Sequence, residues 1–112
     1  MKEKETDLNL LRRIEKDPYC TQRKLSTEMV ISLGKVNYCM RRLIQKGWVK
    51  VNNFSKSENK SAYVYLLTPK GIEEKSKLTY YFLQRAMHDY DRLKKEINNL
   101  NKEVDRSDDS VR

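Results

Sequence analysis

Cysteine, histidine, glycine and proline are all scarce in this 112-residue chain, which has two, one, three and two of them. Cys20 and Cys39 are too few and too far apart for a zinc motif, and His88 has no Cys or His neighbour at ligand spacing, so no metal site is expected. Nothing resembles a glycine-rich phosphate loop, a Ser/His/Asp or Cys/His set, or a carboxylate pair with a pocket to serve. A chain this short fills only a modest core, which leaves little room for an enzyme cleft. The expectation is a non-enzyme without cofactor. No apolar run approaches the ~18–20 residues that span a bilayer. None follows the charged start Met1-Lys2-Glu3-Lys4-Glu5 as a signal peptide requires, so a cytoplasmic protein is expected.

What the chain has in excess is positive charge. The formal net charge is +8, and it is unevenly placed: residues 1–68 hold 14 Lys or Arg against 7 Asp or Glu, whereas residues 69–112 hold 10 against 9. The cationic field belongs to the first part, and its natural partners are polyanions such as DNA, RNA or an anionic membrane surface.

The most telling stretch runs from Ser32 to Gly47. At 3.6 residues per turn, Leu33, Val36, Cys39, Met40, Leu43 and Ile44 fall on one side, and Gly34, Asn37, Tyr38, Arg41 and Gln45 on the other, flanked by Lys35 and Arg42. The polar set suits nucleic acid, because Arg, Lys, Asn and Gln read base edges in the major groove while Arg, Lys and Tyr hold phosphates. The plainer alternative is a solvated amphipathic helix.

Its neighbours favour the first reading. Thr6 is placed to cap a first helix with Leu8, Leu11 and Ile14 on its buried face, ended by Asp17-Pro18. Thr21 caps a shorter helix through about Met29, with Leu25 and Met29 inward. After a turn at Val30-Ile31, Ser32 caps the third helix, and Gly47 closes it in the left-handed conformation. Two helices joined by a tight turn form a helix-turn-helix, whose second helix enters the major groove. Cys39 is then a small core residue, and Cys20, just before a helix N-terminus, sits where a thiol pKa can be lowered. Past Gly47 the pattern alternates: Trp48 to Phe54 and Ala62 to Leu67 read as strands, joined by the polar loop 55–61. Three helices followed by such a hairpin describe a winged helix, with Lys56 and Lys60 at the wing tip beside the DNA.

Thr68-Pro69 opens a last helix, and after Gly71 neither glycine nor proline interrupts it. Ile72, Ser76, Thr79, Leu83, Ala86, Tyr90, Leu93, Ile97, Leu100 and Val104 recur at alternating spacings of four and three, a heptad seam whose strong part begins at Leu83. A helix to about Val104 is on the order of 50 Å long at ~1.5 Å per residue, too long for its own small domain to cover. A homodimer built on Leu83, Ala86, Tyr90, Leu93, Ile97, Leu100 and Val104 is expected. A second stripe, Leu78, Phe82 and Met87 with Tyr81 beside it, suits packing. His88 is expected at the surface. The resulting plan is a mostly α protein with a small β-hairpin: a winged helix-turn-helix at 6–68, a long dimerisation helix at 69–105 and a disordered tail at 106–112.

With these elements in place, the chain resembles MarR-type winged-helix regulators, and within them the short EPS-associated group. The resemblance rests on residues 31–39, on Leu43-Ile44-Gln45-Lys46-Gly47-Trp48-Val49-Lys50 and on residues 65–75, and spans about Leu8 to Leu100. It implies a cytoplasmic, dimeric, sequence-specific DNA-binding regulator whose targets include exopolysaccharide genes. It places the recognition-helix role on Ser32, Lys35, Asn37, Tyr38, Arg41 and Arg42, phosphate contact on Thr21, Gln22 and Arg23, and the wing role on Lys56 and Lys60. Larger MarR proteins carry an Asp-x-Arg pattern in the wing; here the loop has Asn59-Lys60 and no arginine. The extra N-terminal helix of those proteins is not foreseen, so no small-molecule effector is expected. Two other readings fit the residues: a winged-helix protein-interaction scaffold, and an RNA-binding module stacking bases on Tyr38, Tyr63 and Tyr65.

Overall fold

The computed structural model describes residues 2–53 and 63–111. Its elements follow in the order α1 (Lys2–Lys16), α2 (Gln22–Met29), α3 (Leu33–Gln45), β1 (Val49–Asn53), β2 (Tyr63–Leu67) and α4 (Pro69–Val111). The chain divides into two compact units, residues 1–79 and 80–112. The first is the winged helix-turn-helix expected from the sequence, and it is organised around one apolar cluster.

Leu10, Leu11 and Ile14 from α1, Leu25 from α2, and Val36, Cys39, Met40 and Leu43 from α3 meet in that cluster, closed by Cys20, Val49 and Tyr65. Met29, Ile31, Trp48, Leu67 and Leu78 pack around it. Eight of these side chains are less than 2% exposed, which makes their burial the dominant stabilising term of the unit. Cys39 is therefore a core residue, as expected.

Helix boundaries follow the capping chemistry with one exception. Thr21 Oγ1 accepts from Lys24 N at 3.1 Å and Ser32 Oγ from Lys35 N at 3.1 Å, so each N-cap satisfies an orphan donor. At the end of α3, Gly47 takes φ +78°, its N–H reaches Ile44 O and the Trp48 N–H reaches Leu43 O. That pair of bonds is a Schellman closure and needs a residue at ease in the left-handed region. The exception is Thr6. α1 begins at Lys2, four residues before the expected cap, and the Thr6 hydroxyl donates to Lys2 O at 2.8 Å from inside the helix. Glu3 and Glu5 in the first turn favour this earlier start by opposing the positive end of the helix dipole.

β1 and β2 pair antiparallel, with Val49 opposite Leu67 and Val51 opposite Tyr65. A backbone bond from Tyr65 N to Pro18 O at 2.9 Å ties β2 to the turn between α1 and α2. Thr68 then caps α4: its Oγ1 accepts from Gly71 N at 3.0 Å and donates to Gly47 O, while its N–H donates to Trp48 O. A Cβ on Gly71 would lie 2.0 Å from Trp48 O, so only glycine permits this close approach of α4 to the hairpin's start.

The second unit consists of α4 from Tyr80 onward. Tyr81 and Phe82 meet edge to face at 5.2 Å between ring centres. The helix continues to Val111 and so takes in most of the stretch 106–112 expected to be a disordered tail. No glycine or proline lies between Gly71 and the end of α4, so no residue type forces an earlier stop.

Candidate nucleic-acid interface

The inner and outer faces of α3 separate cleanly. Val36, Cys39, Met40 and Leu43 are buried, while Gly34, Lys35, Tyr38, Arg41 and Gln45 are exposed. Leu33 and Ile44, assigned by periodicity to the apolar side, lie at its margins and are 42% and 38% exposed. The apolar arc needed to cover this small core is narrower than the sequence pattern.

α2 sets its own N-terminal turn beside that of α3. Thr21, Gln22 and Arg23 from the first, with Leu33, Gly34 and Asn37 from the second, line an open cavity of about 660 Å³. Neither helix has an acidic residue in its first turn, so the positive dipole ends of both are unopposed. The turn between them relies on Val30 in the left-handed region, φ 56° and ψ 46°, with its side chain 88% exposed. A β-branched residue there is strained, and the Val30 and Ile31 N–H groups, both donating to Ser26 O, hold the turn in place.

Among the described residues, some cations of this unit have acidic partners and others do not. Arg13 pairs with Glu28 at 2.5 Å, and Lys24 with Asp17 at 3.4 Å. Lys75 reaches Glu15 at 3.0 Å. Arg23, Lys35 and Arg41 have no acidic partner among the described residues. These three sit on the exposed surface of α2 and α3, so their charge is directed to solvent and to whatever approaches from it.

Arg42 belongs with the paired group, against the expectation that it contacts DNA. It turns toward α1, where Nη2 bonds the Asp7 carboxylate and Nη1 lies 2.6 Å from Glu3. Its side chain is 14% exposed and that of Asp7 is 5%. Burial pushes the Asp7 carboxyl up from its ordinary value, and Arg42 opposes that rise. Sequence reading missed Asp7 although a signal was present: it stands four residues before Leu11 and seven before Ile14, on the buried stripe of α1. One turn beyond Cys39, Arg42 lies near enough to the inner face of α3 to meet it.

Asn37 is half-buried and is held from the side. Its Nδ2 donates to Gln22 Oε1 at 3.3 Å, and Gln22 Nε2 donates to the Tyr65 hydroxyl at 3.2 Å. Gln22, expected to touch phosphate, is thus bonded to side chains of α3 and β2. Thr21 and Ser32 are exposed and occupied as caps through their hydroxyls. Lys56 and Lys60 lie outside the described residues. Of the tyrosines considered as stacking surfaces, Tyr38 and Tyr63 are exposed, but Tyr65 is 5% exposed and part of the core, which removes it from that role.

The remaining chemistry is quiet. Cys20 is buried, and burial, aided by nearby Asp17, pushes its thiol up, the reverse of the lowering expected from the adjacent helix end. His88 is exposed. Among the described residues no group of three or more His, Cys, Asp or Glu could hold a metal, and no helix is long and apolar enough to cross a membrane. The residues expected at a dimer seam, Leu83, Ala86, Tyr90, Leu93, Ile97, Leu100 and Val104, are all exposed in the single chain, the larger ones by about half.

Residues 3–50 match the winged helix-turn-helix DNA-binding family. No curated protein matches the sequence. Similar solved structures include wild-type MarR from E. coli in its apo form, 22% identical over 64% of this chain and 52% of that one, with a TM-score of 0.55. A cysteine-to-serine mutant of E. coli MarR complexed with operator DNA is also 22% identical, over 64% and 50%, with a TM-score of 0.55. A MepR mutant from S. aureus aligns with the whole of this chain and 80% of its own, at 17% identity and a TM-score of 0.66. The chain thus spans about half the length of the E. coli MarR chains it matches. At these identities the likeness establishes the fold: a winged helix of the kind found in MarR-type proteins.

Proposed function

We propose that this chain is a MarR-type transcriptional regulator that binds a pseudo-palindromic duplex site as a homodimer, inserting residues 32–46 of each copy into a major groove. The observation that carries the reading is that Arg23 at the start of α2, and Lys35 and Arg41 beside Tyr38 on the exposed face of α3, have no acidic partner among the described residues. In this reading Asn37 and Arg41 address base edges, while Thr21, Gln22, Arg23, Ser32, Lys35 and Tyr38 meet the backbone. Lys56 and Lys60 add phosphate contacts from the wing. Operator DNA bound by the E. coli MarR mutant supports the same use of the fold here.

Two α4 helices pairing along Leu83–Val104 would cover the exposed stripe. With Leu83, Tyr90, Ile97 and Val104 at a positions, a parallel pair sets Phe82 against Met87 and Asp89 against Lys94 across the seam. An antiparallel pair sets Asp89, Glu96 and Glu103 against one another. Charge therefore favours the parallel sense, although Glu103 faces Asp108 at its far end. Half-sites should lie ~34–36 Å apart or at a multiple of that spacing. A bound dimer blocks a promoter without any further surface, which makes repression the simplest outcome. The sequence resemblance makes exopolysaccharide promoters the first to test, and chromosomal DNA as target places the protein in the cytoplasm. No effector is assigned.

Selection of bound fragments from random duplexes, with a salt titration of the bound DNA, tests the reading. A two-fold symmetric motif and an affinity that falls steeply with salt are expected, because each neutralised phosphate releases counterions. Binding that is absent, or equal on single strands, overturns it and favours the scaffold or RNA alternative.

A further inference from the structure

We infer that Tyr65, a residue of the wing strand with no place in the DNA-facing set, is a positioning residue that orients the Asn37 amide to read adenine. This rests on the regulator reading above. Three side chains from three elements form one relay: the Tyr65 hydroxyl on β2, the Gln22 amide at the start of α2 and the Asn37 amide on α3. Its two bonds, 3.2 and 3.3 Å long, link residues 43 and 15 positions apart in sequence.

The relay has a direction. Gln22 gives its Nε2 hydrogen to the tyrosine oxygen, which leaves Oε1 to accept from Asn37 Nδ2. A primary amide has two N–H donors and a carbonyl acceptor. With one N–H given to Gln22, Asn37 retains its Oδ1 and a second N–H, the donor–acceptor pair that matches N6 and N7 of adenine in the major groove. A phenol hydroxyl both donates and accepts, so what Tyr65 fixes is the place of the Gln22 amide, and through it the bond that holds Asn37. Tyr65 is the end that can be rigid: its ring is in the core at 5% exposure, and β2 is pinned to the turn between α1 and α2 by the bond from Tyr65 N to Pro18 O. Gln22 and Asn37 are half-exposed amides on the cavity wall and depend on that anchor.

The Tyr65→Phe substitution removes the anchor while keeping the ring. Binding sites selected from random duplexes by the full-length chain, Tyr65→Phe and Asn37→Ala are compared position by position. The expected result is that Asn37→Ala erases an adenine preference at one position per half-site, and that Tyr65→Phe weakens the same preference about three- to tenfold, the range of one net hydrogen bond. Other positions and the salt slope stay as in the parent chain. Gln22→Leu, which cuts the relay in the middle, should lose preference at that same position whatever it does to overall affinity. If Tyr65→Phe keeps the full preference while Asn37→Ala loses it, the inference is overturned and the regulator reading stands. Should Asn37→Ala alter no position, Asn37 is not a reader and the inference again fails alone. An unmodified chain that selects no motif overturns both.

Discussion

Residues 2–79 and residues 80–111 contain similar apolar side chains and treat them in opposite ways. In the first unit Leu10, Leu11, Ile14, Leu25 and Leu43 are sealed in a core, and Asp7 and Arg42, carried near that core on α1 and α3, find each other. In the second, Leu83, Leu93, Ile97 and Leu100 are regularly spaced on one helix and remain about half exposed. The described apolar side chains of the first unit pack against one another, whereas those of the second are left uncovered in the single chain. Stability and association should accordingly be damaged by separate sets of substitutions.

The largest effect is expected at Arg42. Arg42→Met leaves the Asp7 carboxyl buried without its partner and should destabilise the first unit by about 3–5 kcal/mol, read by urea unfolding, with self-association of the remaining folded protein unchanged. Adding Asp7→Leu should recover most of the loss, since an apolar pair of similar size needs no counter-charge. Ile97→Lys should do the converse, weakening dimerisation by about 3 kcal/mol in analytical ultracentrifugation, from lost burial of a whole isoleucine in each copy. Unfolding of residues 2–79 should be unaffected, and a variant that unfolds that unit instead refutes the division.

Gly71→Ala is expected to cost about 2–3 kcal/mol, because its methyl group would overlap the Trp48 carbonyl and must displace backbone. Differential scanning calorimetry should show this loss confined to the first unit. The smallest effect runs the other way: Val30→Gly relieves a left-handed β-branched residue and should stabilise by about 1 kcal/mol in urea, offset in part by the greater freedom of glycine when unfolded. An unchanged or lower midpoint would mean that Val30 carries no strain worth removing.

Much of the fold was legible because its signals are local. Thr21, Ser32 and Thr68 cap the helices they precede by bonding N–H groups three residues on. Gly47 ends α3 because a left-handed residue there lets two carbonyls find donors. Thr6 misled because a hydroxyl that can cap a helix can equally bond back one turn within it, and the acidic residues before it extend the helix. Of the candidate interface, the exposure of Lys35, Tyr38 and Arg41 followed from periodicity, but Arg42 did not. One helical position separates Arg41 from Arg42, and a long side chain at the edge of a face turns toward whichever partner it meets.

The order of sequence by itself determined three helices, a hairpin and a long heptad-patterned helix, because 3.6-residue and two-residue periods and caps are properties of adjacent residues. Which cations remain free was decided only by tertiary structure, since Asp7 lies 35 residues from Arg42 and no local rule relates them. The Tyr65–Gln22–Asn37 relay is of the same kind: three residues that the sequence offers for separate roles become one unit only after β2, α2 and α3 are packed together. Charge and hydrogen bonding act through space at a few ångströms, and chain separation says nothing about that distance until the core has formed.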